Sequence, residues 1–154
     1  MKLLIQKILK RRKKMNKISQ VGGSHYGILS IQPVEMIAKY GLNWFQGEVL
    51  KYISRYPNKN GKQDLLKAKS ILEMAIDQEM LEIARYDLFD PYELLRSPLL
   101  DYIHQFYVQE GFFREPNTSK VYFYDIIINL FQGKYRKALM EMELFIYSEY
   151  GDEE

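Results

Sequence analysis

Cysteine is absent from the 154-residue chain. Thiol catalysis, iron–sulfur clusters, thiolate zinc sites and a disulfide framework are thereby excluded, and a reducing cytoplasm becomes the expected compartment. Histidine is scarce: His25 and His104 cannot make a histidine-rich metal centre, so carboxylates would have to supply any metal ligands. No metal-binding residues are assigned. No stretch approaches the roughly 18 apolar residues of a membrane span, and no membrane partner is expected. Two phosphate-binding signatures are also missing. Gly61-Lys62 is followed by Gln63 and Gly133-Lys134 by Tyr135, so there is no Gly-x4-Gly-Lys-Ser/Thr loop, and no Gly-x-Gly-x-x-Gly fingerprint occurs.

What is present is one domain's worth of ordinary globular composition, 47% hydrophobic and 27% charged. The net charge of +2 hides a gradient. Residues 1–17 carry eight Lys/Arg and no acid, residues 24–70 carry seven against three, and residues 71–154 carry seven against seventeen. We divide the chain into a basic arm or tail (1–17), a helical region where cations concentrate (18–87) and a C-terminal helical region packed in the same domain (88–154). The apolar run Leu3 to Ile5 is too short for a signal peptide. A block of like charges usually stays solvated, so a tail, or sequence upstream of a start at Met15, is preferred to a nucleic-acid arm.

From residue 28 the apolar spacing is helical. Pro33 opens a helix that Gly41 closes; Asn43 caps a second over about 44–56, stopped by Pro57; Asn58 to Gly61 is a turn. The longest helix is expected over about 63–86, with Leu65, Ala68, Leu72, Ile76, Met80 and Ile83 on one face. Asp90-Pro91 and Ser97-Pro98 look like helix starts, and the latter leads into Leu99 to Val108. A loop containing Pro116-Asn117-Thr118 follows. Val121 to Ile128 is rich in β-branched and aromatic residues, but no partner strand is evident and a helix is predicted. A last helix spans about 134–149. The expected fold is all-α: a compact bundle of about six helices with no P-loop and no Rossmann sheet. Asn43-Trp-Phe-Gln-Gly47 and Asn129-Leu-Phe-Gln-Gly133 agree at four of five positions, read as coincident helix-end grammar rather than duplication.

Polar chemistry gathers between residues 24 and 69. Ser24-His25-Tyr26 offers a hydroxyl, an imidazole and a phenol ahead of the first helix. Lys51, Arg55, Lys59, Lys62, Lys67 and Lys69 follow within nineteen residues. Lys51 and Arg55 share a helix face, as do Lys62 and Lys69. Without a glycine cradle, such side chains and helix N-termini are what would hold phosphates. Trp44, Tyr26, Tyr52 and Tyr56 are aromatics on which a base could stack, although Phe45, Tyr52 and Tyr56 at helical spacing suit a core better. Lys69 with Glu73, and Asp64 with Lys67, have the spacing of solvated helix pairs.

Ser24-His-Tyr26, Ile31-Gln-Pro-Val-Glu-Met-Ile37, Gly41-Leu42, Gly47-x-Val-Leu-Lys-Tyr-Ile53, Arg55-Tyr56, Lys59-Asn-Gly61, Asp64-Leu65 and Lys67-Ala-Lys69-x-x-Leu72 together resemble the bacteriophage "SHY" domain family. That family includes the P-loop-less nucleotide kinase of T-odd-type phages. The blocks span about residues 22–77. The resemblance implies a helical phage protein of the host bacterial cytoplasm that handles deoxynucleotides. Its ligand contacts carry over to His25, Tyr26, Lys51, Arg55, Lys62 and Lys69. Family members commonly have Asn where this chain has Glu48, a carboxylate that could neutralise Lys51 or bind a metal.

The first expected function is therefore a (deoxy)nucleoside monophosphate kinase. His25, Lys51 and Arg55 would be catalytic, and Ser24, His25, Tyr26, Trp44, Lys51, Arg55, Lys59, Lys62 and Lys69 would bind nucleotide. ATP or another nucleotide would be the phosphate donor, with Mg²⁺ as an optional companion. The alternative is a non-catalytic sponge sequestering a host anti-phage signalling nucleotide. A third reading, a Mg²⁺-dependent nucleotide pyrophosphohydrolase, would draw on Glu73, Asp77, Glu79 and Glu82. Acidic and basic ends could also pair between subunits of a homo-oligomer.

Overall fold

Amphipathic segments punctuated by Pro, Asn and Gly become helices wherever their apolar faces can meet. A computed structural model describes residues 29–78 and 97–153. Among these residues there are six α-helices, one 3-10 turn and no strand, so the fold is all-α. The helices are α1 (Pro33–Tyr40), α2 (Trp44–Arg55), α3 (Lys62–Asp77), α4 (Pro98–Tyr107), α5 (Pro116–Phe131) and α6 (Tyr135–Tyr150), with the 3-10 turn at Tyr56–Asn58 between α2 and α3. The helix expected over about 63–86 ends at Asp77, with Gln78 as its C-cap; residues 79–86 and the expected start at Asp90-Pro91 lie outside the described residues.

Proline at the first helical position recurs in α1, α4 and α5, where the missing N–H has no intrahelical partner to lose. Pro116 thus begins α5, and the loop expected around it is the first helical turn. Val121 to Ile128 lie within α5: the apolar contacts of a helix outweigh the local β-propensity. Ser97 occupies the cap position of α4, but its hydroxyl makes no cap bond.

α2 and α3 pack as a hairpin, α5 and α6 as another, and α3 lies against α6; α1 covers α2, and α4 touches α5. One buried cluster draws on both halves of the chain, from Met36, Leu50 and Leu65 to Phe123, Ile127 and Phe145. Its densest part is aromatic. Phe106, Phe112, Phe123 and Phe145 meet edge-on or tilted, with centroids 4.9–5.8 Å apart.

Polar side chains tie the layers together. The Gln105 amide of α4 accepts from the Ile31 N–H (3.1 Å) and donates to the Ile31 carbonyl (2.9 Å), which fixes the approach to α1. Asn43 and Gln46 form a reciprocal capping box on α2. Each then uses its remaining amide nitrogen across the core: Asn43 donates to the Tyr135 hydroxyl (2.7 Å) and Gln46 to the Leu130 carbonyl (2.8 Å). The two similar pentapeptides thus play different parts. Asn43 to Gly47 starts a helix, whereas Asn129 to Gly133 ends one, with Gly133 at a φ of 71°. Duplication is not needed to account for them.

The carboxylate of Glu149 is buried on α6. It accepts from the Tyr56 hydroxyl and from the N–H groups of Arg114 (3.1 Å) and Glu115 (2.9 Å) at the start of α5. Burial, reinforced by that carboxylate's charge, holds the Tyr56 phenol far above its ordinary value, so it remains a donor at any relevant pH. Tyr56→Phe keeps the ring contacts with Phe112 and Phe145 and should cost about 1.5–3 kcal/mol, the worth of a hydrogen bond to a charged group. Glu149→Ala strands the Arg114 and Glu115 N–H groups, leaves the Tyr56 hydroxyl only the Phe112 carbonyl at 3.2 Å, and should cost more. Urea denaturation of the two variants checks both the size and the order.

Candidate functional site

Gly47 sets the spacing of α1 and α2. A methyl group there would lie 3.3 Å from Cδ1 of Ile37, so the two helices approach over a residue without a side chain. Beside that approach a cleft of about 330 Å³ opens between them. Its walls are Pro33, Val34, Ile37, Leu42, Gly47 and Trp44, and its polar groups are Gln32, Asn43, Glu48 and Lys51. Trp44 is 58% exposed and stands edge-on to Phe45, with ring centroids 5.2 Å apart. A mostly apolar concavity with a few polar groups and one exposed ring is the ordinary form of a small-molecule site.

The charge in the cleft is an ion pair. Lys51 Nζ lies 2.7 and 2.6 Å from the two carboxylate oxygens of Glu48, one helical turn earlier. Of the two roles open to this carboxylate, neutralising Lys51 is the one the structure displays. Among the described residues no group of three His, Asp or Glu side chains is placed to hold a metal ion. Farther away, burial raises the carboxyl groups of Asp125 on α5 and Glu141 on α6 above the usual range, and the Asp125 charge raises Glu141 further.

Next to the cleft, the half-buried ring of Tyr52 gathers cations. Lys51 Nζ, Arg55 Cζ and Lys67 Nζ lie 4.7, 4.9 and 5.7 Å from its centroid. The negative π face offsets some of the repulsion among three like charges. It also means that the Tyr52 ring is taken up by cations, leaving Trp44 as the exposed stacking surface at the cleft.

Arg55 goes inward. Its guanidinium bonds Asp64 through Nε (3.1 Å) and Nη2 (3.5 Å), and Asp64, fully buried, also accepts from Asn60 (3.3 Å). The pairing of Asp64 with Lys67 suggested by their spacing gives way to this link across the α2–α3 turn, because Asp64 faces the core and Lys67 is exposed. Lys69 lies 3.4 Å from Glu143 on α6 and 3.9 Å from Glu73. Lys59 is exposed at the turn and Lys62 half-buried at the first position of α3. Of the nucleotide-contact candidates, the structure therefore brings Trp44 and Lys51 to the cleft and sets Arg55 beside Lys51. It turns Lys69 towards α6. Ser24, His25 and Tyr26 lie outside the described residues.

The residues that sequence reasoning missed are Gln32, Pro33, Val34, Ile37, Leu42, Asn43 and Gly47 as cleft walls; Lys67, counted among the six cations, was not among the nucleotide contacts. The signal was present in the conjunction of a glycine on α2 with the Gln-Pro start of α1, but only helix packing turns it into a cavity.

A model of a protein family of unknown function, DUF3310, matches residues 21–73. That span is about a third of the chain, nearly coincides with the blocks of the resemblance, and contains every residue lining the cleft. No curated protein and no solved structure matches the chain. Among the described residues no helix is long and apolar enough to cross a membrane.

Removing one partner of the Arg55–Asp64 pair should be costly whatever the ligand. Asp64→Ala deprives a buried guanidinium of its carboxylate and should lose about 3–5 kcal/mol, whereas the double change Arg55→Met with Asp64→Leu should lose far less. Thermal denaturation of both variants distinguishes this structural pair from an arginine held in reserve for phosphate, for which Asp64→Ala would leave stability nearly intact.

Proposed function

We propose that the α1–α2 cleft holds a nucleobase against Trp44, with the phosphates drawn to Lys51 and its neighbouring cations. On this reading the protein is a P-loop-less (deoxy)nucleoside monophosphate kinase of a bacteriophage, acting in the host cytoplasm. The observation that carries the proposal is the juxtaposition within one cleft of apolar walls, a single exposed indole and a lysine, with Arg55 and Lys67 alongside. The resemblance of residues 22–77 to the phage family supplies the reaction. An oxygen of the acceptor phosphate attacks the terminal phosphorus of ATP or another nucleotide donor, and the nucleoside diphosphate leaves. Such transfer asks mainly for positioning and for cations facing the phosphoryl oxygens. His25, Lys51 and Arg55 are the proposed catalytic groups, His25 orienting the acceptor.

The second reading is binding without turnover, as in a sponge for a signalling nucleotide. It is favoured by the carboxylate partners of Lys51 and Arg55, Glu48 and Asp64. A ligand phosphate could take the place of Glu48 on Lys51 without any reaction centre being assembled. Of the carboxylates named for the pyrophosphohydrolase reading, Glu73 is paired with Lys69 and Asp77 is exposed at the end of α3, while Glu79 and Glu82 lie outside the described residues.

Trp44 is the only tryptophan, so its emission reports on the cleft alone. Nucleoside monophosphates should change that emission on titration. Lys51→Ala should weaken the response roughly tenfold or more, since a charge-assisted contact is lost, and Glu48→Gln should strengthen it by releasing Lys51. Thin-layer analysis with labelled ATP and each deoxynucleoside monophosphate then separates the readings. Transferred label supports the kinase, and an emission change with intact ligand recovered supports sequestration. Neither emission change nor transfer with any nucleotide would overturn both.

A further inference from the structure

The polar chemistry that the α1–α2 cleft offers a ligand reduces to one ion pair. Both atoms of the Asn43 amide are engaged within the protein, Oδ1 by the Gln46 N–H (2.9 Å) and Nδ2 by the Tyr135 hydroxyl (2.7 Å), and Gln32 belongs with Glu35 to the capping box of α1. What faces a ligand is then Glu48 as acceptor and Lys51 as donor. These two stand in order on the face of α2 that carries Trp44. Glu48 follows the indole by four residues and Lys51 by seven, which places them about 6 and about 10 Å further along the helix axis. A ligand whose ring lies on Trp44 therefore meets the carboxylate first and the ammonium beyond it.

A carboxylate at this point opposes a bare anion. Glu48, whose side chain is 23% exposed, holds Lys51 through both of its oxygens. A phosphate that drew Lys51 away would leave Glu48 without its counter-charge and beside a second negative group. The exchange becomes favourable when the ligand brings hydrogen-bond donors of its own to Glu48. An ionised carboxylate has about four lone-pair positions on its two oxygens and so accepts two neighbouring hydroxyls side by side. The vicinal diol of a ribose supplies that pair, and it lies between base and phosphate, in the order in which Trp44, Glu48 and Lys51 stand. A 2′-deoxyribose supplies one hydroxyl of the two.

We infer, on the reading of this cleft as a nucleotide site, that Glu48 reads the sugar and selects ribonucleoside monophosphates over their 2′-deoxy counterparts. An acidic side chain accepting from the 2′-hydroxyl is also how dinucleotide-binding sheets read ribose. A site that bonds a substrate hydroxyl discriminates against the analogue lacking it, because the site's own group is then left unpaired. For a partly exposed carboxylate the discrimination should be about tenfold.

The test uses the full chain and its single tryptophan. Trp44 emission is titrated with AMP, GMP, CMP and UMP and with the 2′-deoxy form of each. For whichever base binds, the ribonucleotide should have a dissociation constant about tenfold lower than the deoxynucleotide. The arabinonucleotide of the same base, whose 2′-hydroxyl lies on the opposite face of the ring, should bind like the deoxynucleotide, and this comparison needs no variant. Glu48→Ala should bring the ribose and deoxyribose constants together, and Glu48→Gln should tighten both while shrinking their ratio. A carboxylate that only positions Lys51 would alter both constants and leave their ratio unchanged in the two variants, which overturns the inference. Equal affinity for the two sugars in the unaltered protein, or tighter binding of the deoxynucleotides, also overturns it while leaving the cleft a nucleotide site. No emission change with any of these ligands overturns the nucleotide reading and this selectivity with it.

Discussion

The buried carboxylate of Glu149 is the constraint around which the helices are arranged. It lies on α6, yet its hydrogen bonds come from Tyr56 at the end of α2 and from the backbone just before α5. A carboxylate in an apolar interior is tolerated only when its lone pairs are filled, and here three donors from two separate parts of the chain fill them. Satisfying this group fixes where the α2–α3 turn, the start of α5 and the last turns of α6 must lie. The aromatic cluster of Phe106, Phe112, Phe123 and Phe145 then fills the space beside it.

With that frame in place, α2 becomes the element that links core to cleft. One side chain set, Asn43 and Gln46, reaches across to the α5–α6 turn. Another, Trp44, Gly47, Glu48 and Lys51, faces α1 and forms the cleft. A third, Tyr52 and Arg55, turns to α3. The site is thus held by a rigid helix rather than by a loop, which suits a group that must be positioned accurately. Its cations come with counter-charges, Glu48 for Lys51 and Asp64 for Arg55, so an anionic ligand would have to compete with carboxylates already in place.

Much of the local structure was legible in the amino-acid order. Pro33 with Gly41, Asn43 as a cap, and the apolar steps Leu65, Ala68 and Leu72 each act within one or two helical turns, and the helices formed where these signals stand. Val121 to Ile128 was legible only because no partner strand was available. The candidate site was partly legible: Trp44 and Lys51 do meet in the cleft, whereas its apolar walls come from two helices whose packing no short-range pattern specifies.

What the sequence by itself determined is the set of helices, their caps and the segregation of charge, because hydrogen bonding within a helix and the spacing of its side chains are local. Only the tertiary structure decided which charged group meets which. Arg55 chose Asp64 over solvent, and Glu149 found Tyr56, ninety-three residues away. Such pairings depend on which faces are buried together, and burial makes a long-range partner worth more than a neighbour on a solvated face.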